Sequence, residues 1–110
     1  MTGICYRDGD QIIHNGWRQI MDLSSIPFIY KDLSEFKNRI IYYESSRGCP
    51  FSCSYCLSSI DKKLRFRDTE TVKKELQFFI DNKVPQVKFV DRTFNCKHDH
   101  AMAIWKYINE

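Results

Sequence analysis

Residues 39–44, RIIYYE, and residues 86–91, QVKFVD, are two short runs of β-forming residues, and residues 68–82, DTETVKKELQFFIDN, lie between them. Asp68 can cap a helix, and Glu70 in the first turn is favoured by the helix dipole. The apolar residues of the middle segment recur at the spacing of one helix face: Val72, Leu76, Phe79 and Ile80. The order strand, helix, strand predicts two parallel strands joined by a right-handed crossover.

A second helix is expected to start near Lys97 or His98. Its apolar face would consist of four residues: Ala101, Ile104, Trp105 and Ile108. Two strands cannot close a barrel, and parallel strands need cover on both faces. We therefore predict an α/β fold in which residues 39–110 form the first two βα units of a partial (β/α) barrel. The last residues carry no turn or cap signal, so we expect the chain to be a fragment of a longer protein.

Residues 1–38 are predicted to be a β-hairpin followed by an inter-domain linker. Asp8-Gly9-Asp10 separates two runs of strand formers, residues 4–7 and 11–14, and Asp-Gly is a strong signal for a tight turn. From residue 17 to residue 38 the pattern is irregular and contains the breaker Ser24-Ser25-Ile26-Pro27. We expect this segment to lie across a surface.

Composition limits the classes of function. The chain of 110 residues has a net charge of +3, and no apolar run approaches the roughly 20 residues that span a bilayer. The N-terminus has no basic flank before an apolar run, so we expect no secretory signal, no membrane partner and a cytoplasmic location. The basic patch KKLRFR at 62–67 has no stacking platform beside it. We interpret it as a solvated loop and do not expect nucleic acid as a partner.

Three of the five cysteines, Cys49, Cys53 and Cys56, lie within eight residues in the spacing CxxxCxxC. An odd count without a signal peptide argues against a disulfide framework, and clustered thiolates are soft ligands that suit iron. Gly48 lets the chain turn sharply into the loop, and Pro50 stiffens it after the first ligand. Three cysteines leave one iron of a four-iron cluster open, as catalytic metal centres do.

Two alternatives stay open for these thiols. Cys53 and Cys56 form a CxxC pair, which is also typical of structural zinc sites. Cys96 with His98 or His100 could complete four ligands, although the first cysteine of the motif would then be idle. A small electron-transfer iron–sulfur module is the other alternative. Outside these alternatives, four residues are expected to be ordinary or solvent-exposed: Cys5, Cys96, His98 and His100.

The stretch ESSRGCPFSCSYC at 44–56 resembles the signature of the radical S-adenosylmethionine superfamily, including the aromatic Tyr55 directly before the last cysteine. Three stretches further along resemble the branch whose members often carry an N-terminal cobalamin-binding domain: residues 65–67, 72–76 and 87–95. That branch includes Fe–S oxidoreductases and anaerobic magnesium-protoporphyrin monomethyl ester oxidative cyclases. The resemblance runs from about residue 27 to the end, and residues 4–26 resemble the segment that joins the two domains.

The resemblance implies a role for each matched position. Cys49, Cys53 and Cys56 would hold a 4Fe–4S cluster, and S-adenosylmethionine would chelate the fourth iron. Tyr55 would lie beside the adenine. An electron from the cluster would cleave the cofactor to a 5′-deoxyadenosyl radical, which abstracts hydrogen from a small-molecule substrate that the sequence does not identify. The resemblance also implies a reductant such as flavodoxin or ferredoxin, and cobalamin as a second cofactor of the full-length parent.

Asp91 stands where many superfamily members have a Gly-Gly-Glu-type stretch that contacts the amino group of the cofactor. At a strand C-terminus Asp91 could accept from that ammonium group, or it could begin a turn or cap a backbone group. The parent is thus expected to be an enzyme, and the fragment alone inactive, because later strands would complete the pocket. Unpaired strand edges and uncovered apolar faces predict self-association of the fragment.

Overall fold

The computed structural model describes residues 1–110, which form six short strands and two α-helices. In chain order the elements are β1 Cys5–Asp8, β2 Gln11–His14, β3 Ile41–Tyr43, β4 Ser46–Arg47, β5 Arg65–Phe66, α1 Thr69–Asp81, β6 Val87–Phe89 and α2 His98–Asn109. Three short 3-10 helices lie at Leu23–Ser25, Ser34–Phe36 and Leu57–Ile60. The strands pair two by two: β1 with β2 and β4 with β5 are antiparallel, and β3 with β6 is parallel. Neither α-helix has the length and apolar character needed to span a membrane.

The parallel pair β3–β6 with α1 between its strands is the predicted strand–helix–strand unit. Ile41 lies opposite Val87, and Tyr43 lies opposite Phe89. Each strand is three residues long, shorter than the runs of β-forming residues in the sequence. A two-stranded sheet is compatible with many α/β architectures, so the partial (β/α) barrel stays a prediction.

Helix α1 begins and ends as its sequence indicates. The side chain of Asp68 accepts a hydrogen bond from the backbone N–H of Thr71 at 3.0 Å, which is the predicted N-cap. At the other end, Lys83 adopts a left-handed conformation with φ 52°. The N–H of Val84 then donates to the carbonyl of Phe79, and the N–H of Lys83 donates to that of Ile80. This pair of bonds is the Schellman motif that closes helices.

The core lies between β3, α1 and α2. It consists of six buried residues: Ile41, Tyr43, Val72, Leu76, Phe79 and Ile104. The predicted stripe of α1 is buried except for Ile80, which is 52% exposed. On α2, Ile104 is buried as predicted, but Trp105 and Ile108 are 59% and 44% exposed. Their exposure agrees with the uncovered apolar faces expected from the sequence, because a two-stranded sheet is too narrow to cover the whole apolar face of either helix.

The segment between the hairpin and β3 packs on the core more closely than a linker would. The ring of Phe28 contacts Phe78 and Phe79 with centroid distances of 5.4 and 5.5 Å. Phe78 lies off the buried stripe of α1, and Phe28 provides the cover that it needs. Tyr30 also packs edge-on against Phe79. The division at residue 38 into separate domains of a longer protein stays a prediction.

The N-terminal hairpin forms as predicted. Gly9 and Asp10 are its two turn residues, since Asp8 pairs with Gln11. Gly9 has φ 58° and Asp10 has a negative φ, which matches the preference of a type II′ turn for glycine at its first position. Within the two strands only Ile13 is partly buried. The radius of gyration is 17.3 Å, against about 13 Å for a compact domain of this size, so the molecule is elongated.

The interpretation of residues 62–67 as a solvated loop is wrong for residues 65–67, because Arg65 and Phe66 form β5 and Arg67 is buried. This residue is 8% exposed and pairs with Glu75, which is 6% exposed, with 2.9 Å between Nε and Oε2. The Arg67 guanidinium also donates to the carbonyl of Leu23, and the hydroxyl of Tyr43 donates to Glu75. Burial, together with the Glu75 carboxylate, raises the pKa of Tyr43, so the phenol remains a donor. The pairing of β4 with β5 turns Arg67 inward toward α1.

We expect Glu75→Gln to destabilise the chain by on the order of 3 kcal/mol, because Arg67 would stay buried without its counter-charge. The free energy of unfolding in urea measures the effect. Glu70→Gln is the matched control on the same helix, since Glu70 pairs with Lys73 at the surface and such pairs contribute little. Equal losses from the two substitutions would show that burial of the pair is unimportant.

Candidate functional site at the cysteine loop

The cysteine loop, residues 48–56, lies near the carboxyl end of the parallel pair. It follows β4, which starts three residues after the end of β3. The loop itself contains no regular secondary structure, and it leads into the 3-10 helix Leu57–Ile60. Ligand sites in α/β folds form at this edge of the sheet, because the strand ends and the segments that follow them converge there.

Gly48 is required at the start of the loop by both its conformation and its surroundings. It has φ 94°, and a Cβ added there would lie 2.5 Å from the carbonyl oxygen of Lys63 and 3.3 Å from that of Asp61. The next residue, Cys49, donates its backbone N–H to the Asp61 carbonyl at 3.0 Å. The loop therefore starts in close backbone contact with the segment before β5, and the sharp turn predicted at Gly48 is confirmed.

All five cysteines are free thiols. Cys53 is exposed, whereas Cys49 and Cys56 are partly buried. The sulfur of Cys49 lies 3.3 Å from the hydroxyl oxygen of Thr93. Hydrogen bonds from the backbone N–H and the hydroxyl of Ser58 lower the pKa of Cys56, and the charge of Arg92 acts in the same direction. The thiolate of Cys56, the form that binds metals, is therefore favoured.

The residues of the loop fit an iron–sulfur cluster by the chemistry of their donor set. Three free thiols lie on one glycine-started segment, and thiolates are the ligands that such clusters use. No group of three or more His, Cys, Asp and Glu side chains is gathered as a metal site in the structure. The fit is thus one of donor chemistry and not of preassembled geometry. Cys49, Cys53 and Cys56 stay predicted ligands.

His100 is buried, so its predicted solvent exposure is wrong. It is 4% exposed, and its ring packs against Phe66 with a centroid distance of 5.0 Å. Its Nε2 lies 3.3 Å from the hydroxyl oxygen of Ser45. Burial lowers the pKa of His100, which favours the neutral imidazole. Because this ring is engaged inside the fold, it is a poor fourth ligand for the alternative zinc site with Cys96.

Asp91 joins the two strand ends beside the loop. Its Oδ1 accepts the backbone N–H of Ser45 at 2.8 Å, and its Oδ2 accepts the hydroxyls of Ser45 and Ser46, each at 2.6 Å. Ser45 and Ser46 are 0% and 2% exposed. Nothing in the sequence pattern indicated that these serines and His100 would be buried side by side, since their partners lie about half a chain away. The predicted contact of Asp91 with a cofactor ammonium group stays a prediction.

A cavity of about 300 Å³ lies beside the loop. Its wall includes Ser58, Arg47 and Arg92. Arg47 is paired with Glu44, whereas Arg92 is exposed and forms no ion pair within the chain. Tyr55 is 91% exposed, so its predicted place beside an adenine is neither formed nor blocked by the rest of the chain.

Several curated proteins are similar to the chain over part of its length. A Methanocaldococcus jannaschii protein named "Putative methylthiotransferase" is 33% identical in an alignment 82 residues long that covers 70% of this chain and 18% of that protein. A Pyrococcus horikoshii protein named "Uncharacterized methyltransferase" is 35% identical in an alignment 63 residues long that covers 54% of this chain and 14% of that protein. The 2-(S-pantetheinyl)-carbapenam-3-carboxylate methyltransferase of Streptantibioticus cattleyicolor is 33% identical in an alignment 54 residues long that covers 47% of this chain and 8% of that protein.

The chain spans less than a fifth of the length of each of these relatives. All three names describe the transfer of a methyl or methylthio group. Such a reaction is consistent with the predicted superfamily but does not distinguish between its branches. No protein-family profile matches the chain. No solved structure matches it either. The oxidoreductase or cyclase branch and its cobalamin therefore stay predictions.

Gly48→Ala is expected to destabilise the chain more than Gly16→Ala. Both glycines have positive φ, 94° and 76°, so both substitutions carry a backbone cost of about 1–2 kcal/mol. Only at Gly48 would the new Cβ meet backbone atoms, since nothing lies within 4 Å at Gly16. Unfolding in urea compares the two variants. Equal stabilities would mean that the contact with Lys63 can relax without cost.

Cys56 should react with iodoacetamide at lower pH in the folded chain than in the urea-unfolded chain. The folded state favours its thiolate, and the thiolate is the reactive form. Ser58→Ala removes one of the two hydrogen bonds from Ser58. The pH at which Cys56 reacts should therefore rise part of the way toward its value in the unfolded chain. Mass spectrometry of the peptide that contains Cys56 follows the reaction. An identical pH profile in both states would contradict the assigned hydrogen bonds.

Proposed function

We propose that this chain is the cluster-holding part of a radical S-adenosylmethionine enzyme. The observation that carries the proposal is the CxxxCxxC loop with three free thiols, placed near the carboxyl end of the parallel pair β3–β6. The relatives add support, because S-adenosylmethionine is the usual donor for the methyl transfer that their names describe. The whole parent enzyme is part of the proposal, since the chain covers only a small share of those relatives.

In this proposal Cys49, Cys53 and Cys56 hold the 4Fe–4S cluster as thiolates. When bound, such a cluster would supply the electron for reductive cleavage of S-adenosylmethionine. Tyr55 would lie beside the adenine of the bound cofactor. The proposal does not extend to a cofactor contact by Asp91, because the chain's own serines already use that carboxylate.

The chain's own residues prepare the loop for this role. Gly48 sets the direction in which the loop leaves β4, and the contact of Cys49 with Asp61 holds its first residue. Ser58 favours the thiolate of Cys56 by hydrogen bonding, and Arg92 adds positive charge near it. We place the cofactor in the cavity of about 300 Å³ beside the loop, where these groups and the loop meet.

The parent protein would carry the remaining parts of the mechanism. We propose a small-molecule substrate, flavodoxin or ferredoxin as the electron donor, and cobalamin as a second cofactor of the oxidoreductase branch. A reducing cytoplasm suits clustered thiols, so we place the parent there. The exposed apolar residues of α2, Trp105 and Ile108, would lead the fragment alone to self-associate, and we expect it to be inactive without the rest of the barrel.

Anaerobic reconstitution with iron and sulfide tests the proposal. We expect a brown protein with a broad absorption band at about 400 nm, which is typical of thiolate–iron charge transfer. Cys53→Ala should abolish the absorption, while Cys5→Ala should leave it unchanged, because Cys5 lies in the exposed hairpin. Tight zinc retention without iron uptake would overturn the cluster assignment in favour of a zinc module.

The cleavage reaction is tested in the full-length parent. Reduction of the loaded enzyme in the presence of S-adenosylmethionine should release 5′-deoxyadenosine, which chromatography quantifies. An intact cluster that releases none would overturn the reaction class. In that case the electron-transfer module would be the better description of the same cysteine loop.

A further inference from the structure

We propose that Asp91 is a positioning residue for the cysteine loop. Its carboxylate accepts hydrogen bonds from Ser45 and Ser46, which precede the loop, and so connects them to the segment after β6. We call this set of hydrogen bonds the tie, and we propose that it fixes the position of Cys49. The inference deepens the proposed function and rests on it where the cluster is concerned. The tie itself belongs to the chain without any cluster, so it can be tested separately.

The tie lies where the parallel pair ends. The backbone N–H of Val90 still donates to the carbonyl of Tyr43 at 2.9 Å. One residue beyond Val90, and two to three residues beyond Tyr43, the Asp91 carboxylate takes over and accepts three hydrogen bonds of 2.6–2.8 Å from Ser45 and Ser46. Both serines are buried, and buried hydroxyls are costly without a partner. Asp91 therefore satisfies both hydroxyls and one buried N–H at once.

The same segment after β6 also reaches the first cysteine. Thr93, two residues beyond Asp91, lies 3.3 Å from the sulfur of Cys49. On the loop side, Ser46 pairs with Phe66 of β5, and only Arg47 and Gly48 separate it from Cys49. The segment from Asp91 to Thr93 thus holds the loop at two points, just before it and at its first thiol.

Helix α2 covers the serine side of the tie. His100 is 4% exposed, and its Nε2 lies 3.3 Å from the Ser45 hydroxyl oxygen. Its ring packs on Phe66, the residue that pairs with Ser46. A largely buried hydrogen-bond network of this kind holds its members in one arrangement, which is what a cluster-binding loop needs from its support.

A positioning role and an ammonium-binding role respond differently to Asp91→Asn. An ammonium contact depends on the negative charge of the carboxylate. The tie depends on hydrogen-bond geometry: the asparagine oxygen can accept the Ser45 N–H, and its NH₂ group can donate to the serine hydroxyls, which accept as well as donate. Asp91→Asn should therefore preserve the tie, whereas Asp91→Ala removes it.

The first experiment uses the full chain without a cluster. The alkylation rate of Cys49 is measured relative to that of Cys5, an exposed thiol in the hairpin that serves as the internal control. We expect Asp91→Ala to raise the ratio roughly fivefold or more, Ser46→Ala to raise it less, and Asp91→Asn to leave it near the wild-type value. Circular dichroism checks folding, and if Asp91→Ala unfolds, the other two variants decide.

An unchanged ratio in Asp91→Ala and Ser46→Ala would overturn the proposal. So would an asparagine variant that behaves like the alanine variant. These readings need neither iron nor S-adenosylmethionine, so they hold whether or not the proposed function is correct.

The second experiment uses the reconstituted chain. Positioning predicts that Asp91→Asn keeps the iron content and the change in the electron paramagnetic resonance spectrum of the reduced cluster on addition of S-adenosylmethionine. A normal iron content with loss of that spectral change would assign Asp91 to the cofactor and overturn the proposal. Failure of the wild-type chain to take up iron would refute the proposed function alone, since the alkylation ratios still decide the tie.

Discussion

The parallel pairing of β3 with β6 determines the course of α1 and brings together the segments around the cysteine loop. Parallel neighbours need a crossover, so α1 must run back across the sheet between them. Both strands then end at one edge, and Ser45 meets Asp91 although 46 residues separate them in the chain. Each strand has only three residues, so the packing of α1 and α2 on the pair must stabilise it.

The buried Arg67–Glu75 pair joins the elements around that sheet. It lies between the end of β5 and α1, and it reaches β3 through Tyr43 and the N-terminal segment through the carbonyl of Leu23. Buried ion pairs add less stability than their short contacts suggest, because both charges lose their hydration. We infer that this pair selects one arrangement of four segments, while the aromatic contacts of Phe28 and Tyr30 provide much of the packing.

Local patterns in the sequence predicted the elements well and their burial less well. The cap at Asp68 and the hairpin turn depend on neighbouring residues, and both formed as expected. Ile80 and Trp105 are exposed because periodicity defines a helix face but not the width of the sheet that covers it. The burial of Arg67 and His100 was missed, since a polar side chain is buried only when distant partners satisfy it.

Local sequence patterns are enough to identify the cysteine spacing, the glycine that starts the loop and the strand–helix–strand order, because each pattern involves residues within a few positions of one another. Tertiary structure decided what surrounds the thiols. It brought Asp91 to Ser45 and Ser46, and it placed His100 over them. These contacts form between segments about half a chain apart, and they exist only once parallel pairing has brought the two strand ends to the same edge.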